Sequence, residues 1–420
     1  MVVAEMNFKN QYEVSSACRI SGSRNLIDIL SLGDQPLANS LKLKSEDGEI
    51  KIPLTLSYCP DSCLVQLRET VNKEILFSHY VWVSGTAQTT RQYADVFCQN
   101  VIHVSHLKAE DLIVEIGSND GTFLKAFIQA GYHNVLGIDP AKNICDMANQ
   151  NGVRTLVGFW NDDLAKKVNH EQGAAKVIIA RNVIPHASQL HDALAGIKRL
   201  LDDDGTGVIE FHYAGDILDG LQYDSIYHEH LCYFSIHSLS FLLKLFNLLP
   251  FYAEFSPISG GAIVLYFSKQ HRKASRSLED LLSRERELRM NHLETWHNFA
   301  DRCLEHKKKS VDMLRKLQNE SVIAFGASAR SATYLNFCGI DQSQIKAIID
   351  NNLIKQGKFA PGTSIPIVSF DDGLKYQPGM IFILAWNFKD EIIKLCRAKK
   401  YTGKFIVAFP DEPKIIDGVI

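Results

Sequence analysis

The chain has 420 residues, of which 46% are hydrophobic and 22% charged, and its formal net charge is −3. This composition predicts a globular protein of two or three domains, and the charge argues against nucleic-acid binding through phosphate contacts. The longest apolar runs, such as 241–251, are too short for a membrane span. Because the N-terminus lacks the layout of a signal peptide and most of the nine cysteines lie in apolar segments, we expect a reduced, cytoplasmic protein.

Three cysteines in the first part of the chain have the spacing of a degenerate zinc ribbon. Zinc ribbons pair two CxxC knuckles, whereas this chain has CRIS beginning at Cys18 and CPDSC running from Cys59 to Cys63. Serine is a poor zinc ligand because its hydroxyl stays protonated at neutral pH, so a four-thiolate site cannot be assembled. Two alternatives remain: a site of Cys18, Cys59 and Cys63 with a fourth ligand from elsewhere, or a ribbon-like module that has lost its metal and is held by packing.

A strand, a glycine turn and a helix are predicted in succession near residue 115. LIVEI at 112–116 runs into GSNDG at 117–121, and a helical pattern follows. This order opens a Rossmann-like unit. The spacing is ExGxxxG rather than GxGxxG, and the acidic Glu115 and Asp120 would repel a pyrophosphate. They favour a cationic ligand that carries an amino acid, and therefore S-adenosyl-L-methionine over a dinucleotide.

Further predicted strands and a closing hairpin follow this unit, and open α/β sheets bind ligands at the carboxyl ends of their strands. At such ends Asp139 can hold ribose hydroxyls or cap a helix. Phe159 and Trp160 can stack on adenine or pack in the core. The predicted strands are 134–138, 153–157, 176–180, 207–213, 251–255 and 262–267. The predicted cofactor-binding residues are Glu115, Gly117, Ser118, Asn119, Gly121, Asp139, Phe159, Trp160, Arg181 and Asn182.

The segment YDSIYHEHLCYF, residues 223–234, places four polar side chains in a row at Tyr227, His228, Glu229 and His230. In an extended segment, Tyr227 and Glu229 would face one way and His228 and His230 the other. Groups that titrate near neutrality in a partly apolar setting suit proton transfer. The alternative is a polar loop whose histidines are satisfied by backbone groups.

The last part of the chain predicts one or two long helices and then a second, smaller Rossmann-like sheet. Glycine and proline are absent from residues 273 to 321, as a long helical stretch requires. The loop GASAR at 326–330 could present backbone amides and Arg330 to a phosphate, or simply start a helix. The strands predicted here are 322–325, 345–349, 380–384 and 404–409.

These motifs resemble those of the sugar C-methyltransferases that act on nucleotide-activated deoxysugars, over nearly the whole chain. The matching stretches are CRxxGS, LGDQPLANS, CLVQL, YVWVSGT, EIGSNDG, GIDP, ARNVIPH, YDSIYHEHLCYFS and the GASAR and AWNF motifs. The resemblance implies an α/β protein with a zinc-ribbon-like module at 1–75 and a seven-stranded methyltransferase domain at 76–270. It also implies a linker helix and a Rossmann-like domain at 271–420 that helps to bind the nucleotide sugar.

The chain departs from the family pattern at two places. The four zinc cysteines of the family correspond to Cys18, Ser21, Cys59 and Ser62, so the resemblance does not supply a complete zinc site. The family often has histidine just before the hairpin glycines, where this chain has Ser259.

The resemblance implies a reaction in which a base removes the proton beside the ketone of a nucleotide-diphosphate 4-keto-deoxysugar. The enolate then takes a methyl group from S-adenosyl-L-methionine. His230 and His228 cannot be ranked from the residues alone, and the resemblance favours His230 as the base. The predicted catalytic residues are His230, Glu229, Tyr227, His186 and Tyr80. The predicted substrate-binding residues are His228, Gly326, Ser328, Arg330, Trp386 and Asn387.

Two functions of other classes remain as alternatives. A non-catalytic protein that binds S-adenosyl-L-methionine or a nucleotide sugar would explain the altered cysteines and Ser259, but not the intact Tyr227, Glu229 and His230. A nicotinamide oxidoreductase is disfavoured because GxGxxG is absent. Neither nucleic acid, nor a membrane, nor a protein partner is implied.

Overall fold

The computed structural model describes residues 11–77, 83–86, 88–257, 260–410 and 412–418. Tyr80 and Ser259 lie outside these described residues. Within them, every helix is too short or too polar to cross a membrane.

The N-terminal module is a small antiparallel β-structure followed by one helical turn. Strands β2, β3 and β4 pair in sequence and bury Leu30, Leu32, Leu54 and Leu56 between the sheet and the rest of the protein. Alternating leucines on adjacent strands therefore form the core of the module, as the sequence predicted. Its elements are β1 (Tyr12–Val14), β2 (Ile27–Pro36), β3 (Lys51–Cys59), β4 (Leu64–Leu67), β5 (Glu69–Val71) and α1 (Lys73–Phe77).

The central part of the chain alternates strands and helices and ends in a hairpin. Its helices are α2 (Gln88–Ser105), α3 (Thr122–Gln129), α4 (Lys142–Gln150), α5 (Asp162–Gln172), α6 (Leu190–Leu200), α7 (Ala214–Asp219) and α8 (Ile236–Lys244). Its strands are β6 (Ile113–Ile116), β7 (Val135–Asp139), β8 (Thr155–Val157), β9 (Ala175–Arg181), β10 (Leu201–His212), β11 (Cys232–Tyr233), β12 (Leu249–Ser256) and β13 (Ala262–Ser268).

Seven of these strands form one sheet in the order β12-β13-β10-β9-β6-β7-β8. Strands β6 to β10 run parallel, and β13 is antiparallel to both β10 and β12. The central strands are mostly apolar because both faces of the sheet are covered, and the charged residues Glu115, Arg181 and Glu210 lie towards their carboxyl ends. The strand order reverses between β6 and β9, which opens a crevice at their carboxyl ends. The predicted seven-stranded sheet is confirmed.

Strand β11 does not belong to the central sheet. It pairs with β4 of the N-terminal module, with Cys232 opposite Gln66 and Tyr233 opposite Val65. The Leu67 N–H also donates to the Leu231 carbonyl at 2.9 Å. The module therefore completes its four-stranded sheet with a segment from the middle of the chain.

The C-terminal part has a six-stranded sheet in the order β16-β15-β14-β17-β18-β19, parallel except for β19. The predicted long helical stretch is two helices, separated where Arg289 takes a φ of 51°. The helices are α9 (Arg276–Glu287), α10 (Leu293–Lys316), α11 (Ala329–Cys338), α12 (Phe370–Leu374) and α13 (Lys389–Ala398). The strands are β14 (Val322–Phe325), β15 (Ile348–Ile349), β16 (Ile367–Val368), β17 (Met380–Ile383), β18 (Lys404–Val407) and β19 (Lys414–Ile416).

A buried hydrogen bond joins the central and C-terminal parts. The Tyr223 hydroxyl lies 2.8 Å from His306 Nδ1 on α10. The other ring nitrogen of His306, Nε2, lies 2.8 Å from the Ala408 carbonyl. A carbonyl can only accept, so Nε2 carries the proton and Nδ1 of the neutral ring accepts from Tyr223.

We expect Tyr223→Phe to lower the free energy of unfolding by about 1–3 kcal/mol, because His306 Nδ1 would stay buried without its donor. Urea unfolding of the full chain measures this. Tyr376→Phe is the matched control, since that ring is 41% exposed, and it should leave stability nearly unchanged. Equal stability of the two variants would contradict the importance of the buried bond.

Candidate active site

A cavity of about 1550 Å³ lies at the crevice of the central sheet and is lined by all three parts of the chain. The N-terminal module contributes Asn39, Lys73 and Phe77. The cavity is therefore large enough to hold more than one small molecule.

The predicted site residues divide into two groups. Those that line the cavity are His186, Tyr227, His230, Glu115, Gly117, Ser118, Asn119, Asp139, Phe159, Trp160, Arg181, Asn182, Ser328, Arg330, Trp386 and Asn387. Those that are described but do not line it are Gly121, His228, Glu229 and Gly326. Gly121 and Gly326 allow close packing instead: a Cβ atom would lie 2.8 Å from Val153 or 2.5 Å from Ala385, respectively.

The Asp139 carboxylate is held at the end of β7 by two backbone groups. Its Oδ2 accepts from the Asn119 N–H at 3.0 Å and its Oδ1 from the Ala141 N–H at 2.9 Å. The N-cap of α4 is Ala141, so the prediction that Asp139 caps this helix is wrong. Burial raises the pKa of Asp139. Each oxygen keeps a lone pair for a further donor, as binding of a ribose diol requires.

A buried ionic cluster lies beside Asp139, at the ends of β6, β9 and β10. The Arg181 Nε donates to Glu210 Oε2 at 2.6 Å, and Arg181 Nη1 lies 3.9 Å from Glu115 Oε1. The Glu115 Oε2 is buried, and no described residue forms a hydrogen bond with it. Burial raises the pKa of Glu115 to about 8, although Arg181 opposes this. A ligand cation would favour the charged form of Glu115, which fits the sulfonium and ammonium groups of S-adenosyl-L-methionine.

The two aromatic residues predicted to stack on adenine, Phe159 and Trp160, each contact another residue of the cavity wall. The Trp160 Nε1 donates to the Ala193 carbonyl at 3.0 Å. The Lys73 Nζ lies 4.6 Å from the centre of the Phe159 ring. Both rings line the cavity, and adenine stacking on them stays a prediction.

Residues 223–230, here called the polar turn, are not extended. The His230 N–H donates to the Tyr227 carbonyl at 2.9 Å, which closes a tight turn. The prediction that Tyr227 and His230 face opposite ways is therefore wrong, because the chain reverses between them. Their side chains meet instead: the Tyr227 hydroxyl lies 2.8 Å from His230 Nε2.

The tautomer of His230 follows from its second contact. Its Nδ1 lies 2.8 Å from the Ser225 carbonyl, which can only accept. In the neutral ring Nδ1 therefore carries the proton, and Nε2 is an acceptor for Tyr227. The ring is thus oriented with its basic nitrogen on the cavity side, beside a phenol.

Burial keeps the histidines around this pair neutral. It lowers the pKa of His230 well below its usual value, and the rings of His186 and His212 lower it further. The pKa of His186 falls to about 4 through burial, and that of His212 to about 3 through burial and the charge of Arg330. The His186 and His230 ring centres are 4.8 Å apart. At neutral pH the cavity therefore presents uncharged imidazoles.

Two other side chains of the polar turn, those of His228 and Glu229, contact the N-terminal module. The His228 Nε2 lies 3.1 Å from the Ile52 carbonyl and 3.2 Å from the Pro53 carbonyl. The Glu229 Oε1 accepts from Asn39 Nδ2 at 2.6 Å. The alternative of a histidine satisfied by backbone groups thus describes His228, whereas His230 faces the cavity.

The predicted phosphate contact Arg330 is bound to the polar turn. Its Nε and Nη2 donate to the two oxygens of Asp224 at 3.0 and 2.8 Å. Trp386 Nε1 also donates to Asp224, at 2.9 Å. Arg330 Nη2 lies 3.1 Å from Gln222 Oε1, which accepts from His212 Nε2 at 2.9 Å as well.

Sequence reasoning missed the supporting residues Asn39, Gln222 and Asp224. Amides and carboxylates of this kind are common along the chain and carry no local pattern. Two of the three lie in stretches that carry the resemblance, Asn39 in LGDQPLANS and Asp224 in YDSIYHEHLCYFS, but neither stretch indicated a role for them.

Comparison with sequence models of protein families gives three matches. The family described as "C-methyltransferase C-terminal domain" matches residues 257–410, "Methyltransferase domain" matches 89–249, and "Putative zinc binding domain" matches 18–77. C-methyltransferase NovU of Streptomyces niveus is 31% identical over 408 residues, which cover 95% of this chain and 96% of NovU. The chain belongs to the C-methyltransferase family.

Two solved structures align with part of the chain. The PH0226 protein of Pyrococcus horikoshii aligns with a TM-score of 0.36 at 14% identity, over 47% of this chain and 98% of its own. The magnesium protoporphyrin IX methyltransferase ChlM of Synechocystis aligns with a TM-score of 0.32 at 14% identity, over 43% and 79%.

Family membership confirms that the protein is a methyltransferase, as the motifs indicated. With the seven-stranded sheet and the carboxylates at its crevice, the predicted cofactor S-adenosyl-L-methionine is confirmed as well. Glu115, Gly117, Ser118 and Asp139, which were predicted to hold it, line the cavity, and their contact with the cofactor stays a prediction.

The neutral histidines predict a pH dependence of stability. A histidine whose folded pKa is depressed stabilises the fold fully above the unfolded value of about 6.5, and this stability is lost as the pH falls towards the folded pKa. For His212 that window runs from about 6.5 to about 3. His212→Gln keeps an N–H donor for Gln222 but cannot take up a proton.

We therefore expect the free energy of unfolding of the wild type to fall more steeply than that of His212→Gln between pH 6.5 and pH 4. Urea unfolding of both proteins at several pH values measures the difference. Parallel curves over this range would show that His212 is not held neutral by the fold.

Proposed function

We propose that this methyltransferase adds a methyl group to the carbon beside the ketone of a nucleotide-linked 4-keto-deoxysugar. The observation that carries the proposal is the hydrogen-bonded pair of Tyr227 and His230, with its fixed tautomer, inside the cavity that also holds the cofactor residues. Carbon–carbon bond formation needs a carbanion equivalent, and a buried neutral imidazole is a suitable base for making one.

The charged side chains along the cavity differ between its two ends. Glu115 and Asp139 lie at the crevice of the central sheet, where the cationic cofactor is expected. Arg330, Lys355 and Lys389 line the cavity from the C-terminal part. Each of these three cations is paired with a carboxylate, Arg330 with Asp224, Lys355 with Asp350 and Lys389 with Asp390, so this end carries balanced charges and the diphosphate stays an expectation of the resemblance.

The proposed first step is proton transfer from the sugar carbon to the Tyr227–His230 pair. His230 Nε2 ends with the proton, either directly or after Tyr227 takes the carbon proton and passes on its own. The Ser225 carbonyl accepts from Nδ1–H and so stabilises the imidazolium. The electron pair left on the carbon delocalises into the ketone as an enolate.

The second step forms the new carbon–carbon bond. The cofactor supplies an electrophilic methyl group bound to a sulfonium. The enolate carbon would take this methyl group while the methyl–sulfur bond breaks and its electron pair goes to sulfur. S-adenosyl-L-homocysteine would leave as a neutral thioether, and the ketone is restored. His186 lines the cavity next to His230, and its Nδ1 has no partner among the described residues. We assign His186 to the sugar oxygens near the reacting carbon. Tyr80, predicted for the same place, lies outside the described residues.

Glu229 and His228 are assigned supporting roles. Both contact the N-terminal module rather than the cavity, so they orient the polar turn that carries Tyr227 and His230. A cytoplasmic location fits the chemistry of the chain, since all nine cysteines are free thiols.

The experiment that tests the proposal incubates the full chain with S-adenosyl-L-methionine and a panel of nucleotide-linked 4-keto-deoxysugars in deuterated water. Mass spectrometry of the products should show one added methyl group for at least one sugar. Deuterium uptake without methylation would show a working base and an unsuitable acceptor. Neither change, with no binding of the cofactor, would favour the non-catalytic binding protein.

Substitution of the two neighbouring histidines distinguishes the base. We expect His230→Ala to lower kcat by about 10²–10⁴-fold, the usual contribution of a general base. His228→Ala should retain most of kcat and mainly lower stability, because His228 contacts backbone carbonyls outside the cavity. Steady-state kinetics with thermal unfolding of each variant measure both effects. Near-normal turnover of His230→Ala would refute the assignment.

Tyr227→Phe tests the route of the proton. If the Tyr227 phenol relays the proton to His230, the rate of deuterium exchange at the sugar carbon should fall in Tyr227→Phe. The fall should be about as large as in His230→Ala, within the 10²–10⁴-fold range of base catalysis. If His230 acts directly, exchange should persist in the Phe variant.

A further inference from the structure

Four positions of the N-terminal module meet at one point. The Cys18 Sγ lies 3.1 Å from Ser62 Oγ, and the Cys59 Sγ lies 3.8 Å from Ser21 Oγ. The Ser21 N–H also donates to Cys18 Sγ at 3.5 Å. The two turns that carry the CRIS and CPDS sequences therefore face each other.

The cluster places four side chains together as a zinc site does, but two of its donor atoms do not suit zinc. Four ligands at about 2.3 Å around a tetrahedral zinc ion lie about 3.8 Å from one another. The separation of 3.8 Å between Cys59 and Ser21 matches this value, whereas the 3.1 Å between Cys18 and Ser62 is a hydrogen-bond distance. Two of the four donors are hydroxyls, however, which stay neutral at physiological pH and bind zinc weakly.

Cys63 does not replace a missing thiol. Its φ is 54°, and its Sγ lies 3.8 Å from the Pro60 carbonyl and 3.9 Å from the Asn291 carbonyl. Across the described ranges, no three His, Cys, Asp or Glu side chains are grouped to hold a metal. The alternative of a site formed by Cys18, Cys59 and Cys63 is therefore wrong, and the module does not fit the zinc ion.

The module has other sources of stability. Leu54, Leu56 and Leu64 are at most 1% exposed, and Cys18 and Cys59 are held by hydrogen bonds to the two serines. Strand β11 adds a pair of residues to its sheet next to β4. Three contacts thus connect the module to the polar turn and its continuation: β11 on β4, His228 on the β3 carbonyls, and Asn39 on Glu229.

We propose that the N-terminal module folds without metal and acts as a scaffold for the polar turn. Its four-position cluster is a zinc site in which two thiolates have been replaced by hydroxyls, so that two substitutions would restore metal binding. The scaffold acts by orienting Glu229 and His228, and Asn39 is its positioning residue.

The metal part of the proposal is tested on the purified full chain by elemental analysis and thermal unfolding with and without a chelator. The wild type should contain no stoichiometric zinc, and its Tm should not respond to the chelator. The double variant Ser21→Cys, Ser62→Cys should bind about one zinc ion per chain, and its Tm should fall on chelation because metal binding then stabilises the fold.

Cys63→Ser is the matched control and should behave as the wild type does. Stoichiometric zinc in the wild type, with a Tm that falls on chelation, would overturn the proposal. A folded double variant that binds no zinc would overturn the assignment of the four-position cluster. Both measurements are independent of methyl transfer, so they do not depend on the proposed function.

The scaffold part is tested by hydrogen exchange of Asn39→Asp. This variant places a carboxylate where Nδ2 now donates to Glu229 Oε1 at 2.6 Å, and the two like charges would repel. Amide protection in residues 223–234 should fall, while protection of β6 and β9 stays unchanged.

Asn25→Asp makes the same change on an exposed side chain of the module and should leave exchange unaltered. If the scaffold proposal is correct, Asn39→Asp also lowers kcat more than it raises KM for the cofactor. Unchanged protection of residues 223–234 in Asn39→Asp would overturn the role of Asn39.

Discussion

The hydrogen bonds that leave the polar turn in opposite directions hold the three parts of the protein together. A buried turn cannot leave its polar groups unpaired, because each lost partner costs about 1–3 kcal/mol. The N-terminal module supplies partners for His228 and Glu229, and the C-terminal part supplies Arg330 and Trp386 for Asp224. Tyr227 and His230 are the side chains of the turn that contact each other and line the cavity. The chemistry of the site thus depends on contacts with both neighbours of the central sheet.

The ion pair between Arg330 of the C-terminal part and Asp224 of the polar turn is largely buried. Their side chains are 16% and 2% exposed, and removing one partner of such a pair typically costs about 3–5 kcal/mol. Arg330 is therefore already oriented when a substrate enters. Two nitrogen atoms of this arginine already bind a carboxylate, which narrows the geometry of any contact with a phosphate.

Much of the fold follows from local patterns. The strand at 322–325 and the GSNDG turn are where apolar runs and glycines predicted them, and the two sheets have the expected parallel order. The conformation of the polar turn could not be predicted in this way. Alternation of side chains describes an extended chain, and nothing in the sequence YHEH indicates that the chain reverses there. The partner of Glu229 lies 190 residues away, at Asn39. Such pairs arise when separate sheets pack together. A single sequence does not indicate which residues, far apart along the chain, will then be in contact.

The pairing of β11 with β4 also bears on the order in which the chain can fold. Strand β4 ends at Leu67, whereas its partner begins at Cys232. At about 5–20 residues per second, a ribosome needs roughly 10–30 s to make the chain between them. During that time the edge of β4 has no partner strand, and an open edge invites pairing with other chains. Nascent chains of this protein are therefore most exposed to aggregation, and to chaperone binding, while strands β6 to β10 of the central sheet are being made.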